Sequence, residues 1–353
     1  MKNQSITEAM LQFIEESPTA FHAAANVEAL LLENGFEKLE NLAEGALVPG
    51  GSYYTMQNGS AVLAVKIPEN PAKGFRIAAS HSDSPCFKIK EVPEMKVENT
   101  YVKLNVEKYG GMILSPWLDR PLSVAGRVFV AGKDGKPEVK LVNLKKDLLI
   151  IPNVAIHFNR EINNGFAYNP QTDMAPLMGL DQELSIKKLC AEAAGVAEEE
   201  ILGSDLYVYN RDKGRIMGAD DSLIGSPRLD DLQCAYATLH GFLASKPEEF
   251  ISVYALFDNE EVGSGTKQGA DSTFLEEFLE IVLENVYPDK NRLWKRSFYQ
   301  NSFLLSADNG HAVHPNHPEK TDPTNRPYLN GGIAMLVPDP GKNSIALSYR
   351  QNV

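Results

Sequence analysis

The sequence is poor in cysteine and in long apolar runs, and each shortage excludes a class of protein. Its 353 residues contain three cysteines, Cys86, Cys190 and Cys234, and no CxxC motif. A disulfide-stapled secreted domain is therefore excluded, and a reducing cytoplasm is the expected compartment. Apolar runs such as residues 148–151 are far shorter than the ~20 residues that cross a bilayer. The first residues also lack the apolar core of a signal peptide, so we expect a cytoplasmic protein.

Positive charge is also scarce in this chain. Lys and Arg total 34 residues against 47 Asp and Glu, which gives a net charge of −13. Such an acidic surface repels phosphate backbones and anionic lipids, so we expect neither nucleic acid nor membrane as a main partner. Apolar residues make up 43% of the chain and charged residues 23%, which is typical of a globular protein. The length predicts two domains.

The pattern of apolar residues predicts an α/β domain that is divided in the sequence. Helical and strand-like patterns alternate over residues 1–90 and again over residues 222–353, whereas residues 91–221 are mostly strand-like. We therefore predict a discontinuous α/β domain with a mixed sheet, interrupted by a β-rich domain at 91–221. The predicted helices include residues 6–16, 19–34, 181–194, 232–243 and 274–286, and the predicted strands include residues 61–67, 75–79, 102–106, 122–130, 138–142, 251–257 and 302–307.

Polar residues of the kinds that bind metals follow three of the predicted strands and precede one predicted helix. In open α/β sheets, ligands gather outside the carboxyl ends of the strands. We therefore expect these side chains to meet at one edge of the sheet. In chain order they are His81 and Asp83, Asp230 and Asp231, Asp258, Glu260 and Glu261, and Asp308, His311 and His314.

These residue types favour a site for divalent metal ions. One His with several carboxylates suits Zn²⁺, Co²⁺ or Mn²⁺, and a bridged pair of ions relieves the repulsion among the acids and activates water. Asp83 lies two residues after His81, so it can bind the second imidazole nitrogen. Of Glu260 and Glu261, one can bind metal while the other acts as general base. Each motif alone is more often a solvated loop or a helix cap, and only their combination predicts the site.

Five short motifs together resemble one family. They are HSDSP at residues 81–85, IHFNR at 156–160, SPRLD at 226–230, FDNEEVGS at 257–264 and DxxHAVHPN at 308–316. They stand in the order seen in aspartyl aminopeptidases, which belong with aminopeptidase I among the zinc metallopeptidases. The resemblance implies a zinc exopeptidase with a discontinuous α/β catalytic domain and an inserted dimerisation domain. It also implies two Zn²⁺ ions in each active site, peptide substrates, and self-association as a dimer and a dodecamer.

The resemblance also implies roles for single residues. The expected metal ligands are His81, Asp230, Glu261 and Asp308. The expected catalytic residues are Glu260 as general base, Asp83 as the residue that orients His81, His311 as the residue that polarises the substrate carbonyl, and His157 as a residue lent by a neighbouring subunit.

The sequence departs from the family pattern towards its end. The family has a further His ligand in a C-terminal motif, but no His follows His317 here. The family also has a Lys shortly after its Gly–Gly pair, whereas an apolar stretch follows Gly331 and Gly332. We expect the resemblance to stop at residue 332, a hairpin at 338–343, and a chain that is shortened relative to the family.

We expect a metalloaminopeptidase that removes N-terminal residues from peptides through water activated by two metal ions. Two alternatives remain open at this point. The missing His favours a scaffold-like homologue with impaired catalysis. A related amidohydrolase, such as a deacylase of acylated amino acids, would also suit a His supplied across a dimer, but the five motifs favour the aminopeptidase.

Overall fold

The structure, a computed structural model, describes residues 5–40, 47–132 and 135–335, together with the backbone of residues 350 and 351. The hairpin expected at 338–343 lies outside these residues. None of the helices in these ranges is both long enough and apolar enough to cross a membrane. The helices are α1 (Ile6–Glu16), α2 (Ala20–Glu33), α3 (Pro170–Asp173), α4 (Ile186–Ala194), α5 (Leu229–Ala244), α6 (Phe274–Val286) and α7 (Arg292–Gln300). The strands are β1 (Glu37–Lys38), β2 (Ser52–Gln57), β3 (Ala61–Lys66), β4 (Phe75–His81), β5 (Cys86–Val97), β6 (Tyr101–Tyr109), β7 (Leu122–Ala131), β8 (Pro137–Asn143), β9 (Leu177–Gly179), β10 (Ile201–Asn210), β11 (Arg215–Met217), β12 (Leu223–Gly225), β13 (Ile251–Phe257), β14 (Phe303–Ser306), β15 (Ala334–Met335) and β16 (Arg350–Gln351).

The chain divides into two compact units. The first comprises Met1–Arg215 and Ser226–Ala307, and it contains two six-stranded sheets. The second comprises Ile216–Gly225 and Asp308–Val353. Within the second unit, β15 pairs with β16, and an exposed turn forms where the Asp322 carboxylate accepts the backbone N–H of neighbouring residues.

The first sheet has the strand order β1-β2-β3-β13-β4-β14. Strands β13 and β14 both run parallel to β4, whereas β3 runs antiparallel to β13, so the sheet is mixed as predicted. In this register Phe257 lies beside His81, and Ser306 lies beside Ala79. The three parallel strands therefore end at the same edge of the sheet.

Helices cover both faces of the first sheet, which explains the unbroken apolar run in β3. The five residues from Ala61 to Val65 are all buried, because neither face is left to solvent. On one face, α1, α2 and α5 pack through a cluster that includes Ile14, Leu31 and Leu239. On the other face, α6 and α7 pack through Phe278 and Phe298. The result is a three-layer α/β arrangement whose central strands are fixed by burial.

Helix α1 begins where its sequence predicts. The Ser5 hydroxyl accepts the Glu8 N–H at 3.2 Å, and the Glu8 carboxylate accepts the Ser5 N–H at 2.9 Å. This reciprocal capping box satisfies two backbone donors that the helix itself cannot pair. Met10, Phe13 and Ile14 then lie on one buried face of the helix.

The second sheet is antiparallel, with the strand order β8-β7-β10-β5-β6-β9. Helix α4 packs on it, and Cys190 of that helix lies in a separate core with Phe87, Leu122 and Val208. Strand β6 alternates buried and more exposed positions, whereas nearly all of β7 is buried. Strand β5 starts three residues after Asp83, so a short segment connects this sheet to the predicted site.

Candidate metal centre

His81 is the last residue of β4, and its imidazole is buried at the edge where the parallel strands end. Its Nδ1 lies 3.2 Å from Asp83 Oδ1 and 3.0 Å from the Asp83 carbonyl oxygen. Since both partners are acceptors, Nδ1 carries the proton. Nε2 lies on the opposite side of the ring, 3.4 Å from Asp230 Oδ1 and 4.0 Å from Glu260 Oε2.

Asp83 is the centre of the hydrogen bonds behind the imidazole. Its buried Oδ1 accepts the Glu260 N–H at 3.2 Å, and Oδ2 accepts the Glu261 N–H at 3.2 Å. Oδ2 also accepts the Tyr109 hydroxyl at 2.7 Å. Burial raises the pKa of Asp83, but the bonds with His81 and Tyr109 more than offset it and hold that pKa below its usual range. Asp83 therefore stays a carboxylate. It fixes both the imidazole ring of His81 and the turn that contains Glu260 and Glu261.

Asp230 and Asp231 lie in the first turn of α5, beside His81. Asp231 is fully buried, and its Oδ2 accepts the His81 backbone N–H at 3.1 Å. The Asp230 side chain is half exposed, and its backbone carbonyl accepts the Ser84 hydroxyl at 2.6 Å. Within this unit, one ligand atom from each of His81, Asp230 and Asp231 can lie within 4.8 Å of the others. The start of α5 is therefore held against the end of β4.

Glu260 and Glu261 lie in a single helical turn directly after β13. Asn259 reverses the chain there with a φ of 63°. Glu260 is half exposed and points its Oε2 towards His81. Burial raises the pKa of Glu261 to about 7, and repulsion from Asp230 adds to this, although His81 opposes it. The two adjacent acids therefore differ in their surroundings. The Glu260 side chain is accessible to solvent, whereas the Glu261 side chain is more buried and lies near other carboxylates.

The donor set fits a divalent cation such as zinc. Burial lowers the pKa of His81, but its hydrogen bonds with Asp230 and Asp83 outweigh burial and raise that pKa to about 11. The surrounding carboxylates thus stabilise a positive charge at the imidazole. A cation facing Nε2 would supply that charge and leave the imidazole neutral, with nitrogen and carboxylate ligands of the kind that zinc prefers. The carboxylates gathered here are Asp83, Asp230, Asp231, Glu260 and Glu261.

The remaining predicted residues belong to the second unit or to a loop of the first. Asp308 is the first residue of the second unit and follows Ala307, whose N–H donates to the Ala79 carbonyl at 2.7 Å. His311 also belongs to the second unit. His157 is exposed, and it lies in the loop between β8 and α3 of the first unit. The structure thus brings together His81, Asp83, Asp230, Glu260 and Glu261.

Sequence reasoning missed several polar residues of this centre. Tyr109, at the end of β6, binds Asp83 and also accepts the Asn259 side-chain N–H at 2.8 Å. Asp231 and Asp258 were recognised at the right junctions but received no role. Burial raises the pKa of Asp258 to about 6, and the Asp83 charge adds to this. No sequence pattern marks Tyr109, because only the pairing of β5 with β6 brings it to the site.

An imidazole and several carboxylates at the ends of parallel strands, with a half-exposed Glu beside them, define a metal-dependent enzyme on an α/β fold. The model of the aminopeptidase I zinc metalloprotease (M18) family matches residues 13–348, and the chain belongs to this family. It is 44% identical over 346 residues to the probable M18 family aminopeptidase 2 of Clostridium acetobutylicum, which covers 96% of this chain and 79% of that protein.

Solved structures agree with this family. Chaetomium thermophilum mApe1 has a TM-score of 0.85 at 31% identity, with 93% of this chain and 79% of that chain covered. The S. cerevisiae mApe1 dodecamer has a TM-score of 0.82 at 26% identity, with 93% and 77% covered.

These comparisons confirm the family resemblance, the α/β fold class and the enzyme class. The chain is a zinc-dependent aminopeptidase of the M18 family, and therefore a hydrolase. One expectation was wrong: the family match continues to residue 348, beyond residue 332 where the recognised motifs end. The stretch after Gly332 carries no short motif, so short motifs alone could not reveal that it matches the family pattern.

Proposed function

We propose that this chain removes N-terminal residues from peptides with two zinc ions at the candidate metal centre. The proposed ligands are His81, Asp230, Glu261 and Asp308. The orientation of His81 carries the proposal: its Nε2 faces Asp230 Oδ1 at 3.4 Å and Glu260 Oε2 at 4.0 Å, while Asp83 holds Nδ1. An imidazole oriented in this way by a carboxylate is typical of a metal ligand.

The protein residues divide the chemistry among them. When bound, zinc polarises the scissile carbonyl and lowers the pKa of water near neutral pH. We assign Glu260 as the general base, because its side chain is half exposed and can reach a substrate. It takes the proton from the attacking water and passes it to the leaving amine. The bond from its N–H to Asp83 Oδ1, at 3.2 Å, ties the position of the base to that of His81.

The acidic character of the centre suits a peptide with a free N-terminus. The side chains of Asp230 and Glu260 are about half exposed, at 52% and 49%. They therefore present negative charge to solvent, and this charge attracts an α-ammonium group. We assign His311 as the residue that polarises the substrate carbonyl, following the family motif.

We also propose that copies of the chain assemble through the inserted β-rich domain, residues 91–221. His157 lies between Ile156 and Phe158, whose side chains are 48% and 88% exposed. Val154 is also exposed, so this loop presents apolar surface of a kind that favours association. The similar yeast protein is a dodecamer. We therefore propose a dimer, and a dodecamer built from dimers, in which His157 reaches the active site of a neighbour.

The direct test of this function is the substitution Glu260→Gln. Gln keeps the size and the hydrogen bonding of the side chain but cannot accept the proton. We expect turnover of a panel of aminoacyl p-nitroanilides to fall by at least about a hundredfold, while zinc content by elemental analysis stays unchanged. Glu276→Gln serves as the matched control, since Glu276 is an exposed Glu on α6.

Three results would count against the proposal. Normal turnover by Glu260→Gln with zinc in place would remove Glu260 from the mechanism. A zinc-loaded wild-type chain that hydrolyses none of the aminoacyl substrates would contradict the aminopeptidase activity itself. A loss of activity in Glu276→Gln equal to that in Glu260→Gln would mean that the assay responds to surface charge and not to the base.

A further inference from the structure

The end of β6 lies against the carboxylates of the metal centre. Strands β5 and β6 pair antiparallel, and this register places Tyr109 directly opposite Cys86. Cys86 is three residues beyond Asp83 in the chain. The end of β6 therefore lies beside the start of β5, close to Asp83. Two neighbouring residues, Tyr109 and Gly110, make the contacts.

The hydroxyl of Tyr109 connects Asp83 to Asn259. The Asn259 Nδ2 donates to this hydroxyl at 2.8 Å, and the hydroxyl lies 2.7 Å from Asp83 Oδ2. Because the amide nitrogen Nδ2 can only donate, the phenol proton must point at the carboxylate. Burial raises the pKa of Tyr109, and the charge of Asp83 adds to this, so the phenol keeps its proton at neutral pH. The direction of this hydrogen bond is therefore fixed from both sides.

Asn259 is itself held firmly. Its Oδ1 accepts the Thr266 hydroxyl at 2.7 Å and the Gln268 side-chain N–H at 2.9 Å. These bonds orient the amide, so that Nδ2 faces Tyr109. The phenol is thus clamped between a fixed donor and the carboxylate behind His81.

Gly110 makes a second, independent contact with the centre. It has a φ of +76°, and a Cβ built on it would lie 3.0 Å from the Glu261 Cβ and 3.4 Å from Oε2. A Cβ at this position would make an unusually tight contact, so glycine suits the close approach of the chain after β6 to Glu261. The same two-residue segment therefore touches both Asp83 and Glu261.

We propose that Tyr109 is a positioning residue for the metal centre, which holds Asp83, and through it His81 and the Glu260–Glu261 turn, in the arrangement that binds zinc. This proposal rests on the proposed function, because it assumes that zinc binds at His81. Tyr109 acts through Asp83 and does not touch the ion. Without the phenol, Asp83 Oδ2 keeps the Glu261 N–H but loses its shortest bond, so the carboxylate is held less firmly against the imidazole.

The test measures zinc affinity and not activity. The full chain is stripped with a chelator, and Zn²⁺ is titrated in competition with a chromophoric chelator. We expect Tyr109→Phe to bind Zn²⁺ about 10- to 100-fold more weakly than the wild type, the usual cost of removing a partner behind a ligand. Tyr101→Phe is the matched control, because it removes a tyrosine hydroxyl from the exposed start of β6. We expect the zinc affinity of this variant to stay within about twofold of the wild type.

A double-mutant cycle with Asp83→Ala separates positioning from general damage. If Tyr109 acts through Asp83, then Tyr109→Phe weakens zinc binding in the wild-type background but changes it by less than about twofold in the Asp83→Ala background. Equal losses in both backgrounds would overturn the proposal, as would a Tyr109→Phe chain that binds zinc as tightly as the wild type. A wild-type chain that binds no zinc would refute the proposed function instead.

A second variant keeps the inference testable if Tyr109→Phe fails to fold. Gly110→Ala places a methyl group against Glu261, and we expect it to weaken zinc binding by at least about tenfold. Gly135→Ala is the matched control, since Gly135 has a similar φ of +72° but open space around its Cβ position. Both variants carry the same backbone strain, so equal zinc affinities for the two would overturn the role of the Tyr109–Gly110 segment.

Discussion

The acid stability of the first unit should depend on one partly buried histidine, His22 of α2. Burial lowers the pKa of His22 from 6.5 to about 4, and the nearby charges of Lys145 and Arg228 add to this effect. The imidazole Nδ1 lies 2.8 Å from the Thr19 hydroxyl, which is a neutral partner and does not offset the burial. Folded His22 therefore stays neutral at a pH where the unfolded chain is already protonated.

The sign and size of the effect follow from these two pKa values. Between pH 6.5 and about 4 the unfolded chain binds a proton that the folded chain does not, so stability is present above pH 6.5 and is lost as the pH falls. From about pH 7.5 to about pH 5, the proton linkage of His22 alone should lower the free energy of unfolding by about 2 kcal/mol.

Urea unfolding of the wild type and of His22→Gln, at about pH 7.5 and about pH 5 with a chelator present, measures this contribution. The Gln variant has no titrating group at this position, whereas every other acid-sensitive group is common to both chains. We expect the wild type to lose about 2 kcal/mol more than the variant over this range. Equal losses in the two chains would refute the reasoning, since His22 would then titrate alike in the folded and unfolded states.

Three further predictions concern assembly, metal binding and the core. Mixing His157→Ala subunits with Glu260→Gln subunits should restore part of the activity if His157 serves a neighbour, and no restoration would count against sharing. Glu261→Gln should lower zinc affinity by more than about tenfold in a chelator competition, and unchanged affinity would remove Glu261 from the ligands. Phe278→Ala should destabilise the chain by about 3–5 kcal/mol in urea because Phe278 is fully buried, whereas Leu293→Ala, at an exposed position, should have little effect.

The sequence predicts best the elements that are both apolar and sharply bounded. The strand predicted at 251–257 is observed as β13, and the one predicted at 75–79 as β4, because both are buried runs that end at polar junctions. Helix α7 was missed, since its sequence is mostly polar and Phe298 is its one buried residue. Strand β5 was missed because Pro93 interrupts its pattern, and the structure places Pro93 in a register shift where no ladder bond is needed.

The candidate site divides in the same way. The contact of His81 with Asp83 could be predicted, because residues two apart in an extended segment can lie on one side. The contact of Tyr109 with Asp83 could not, because it depends on a long-range register between β5 and β6 that itself contains a shift. The number of zinc ions, the roles of His157 and His311 and the cytoplasmic location stay predictions.

The metal centre is connected to the β-rich second sheet at more than one point. The chain leaves the site through Ser84 into β5 and comes back to it at Asp230, in the first turn of α5. The Ser84 hydroxyl donates to the Asp230 carbonyl at 2.6 Å. The segment that leaves the site and the segment that returns to it are therefore hydrogen-bonded to each other. Tyr109 adds a third connection from the same sheet to Asp83. A shift of β5 and β6 would therefore act on the start of α5 through Ser84 and on the carboxylate behind His81 through Tyr109.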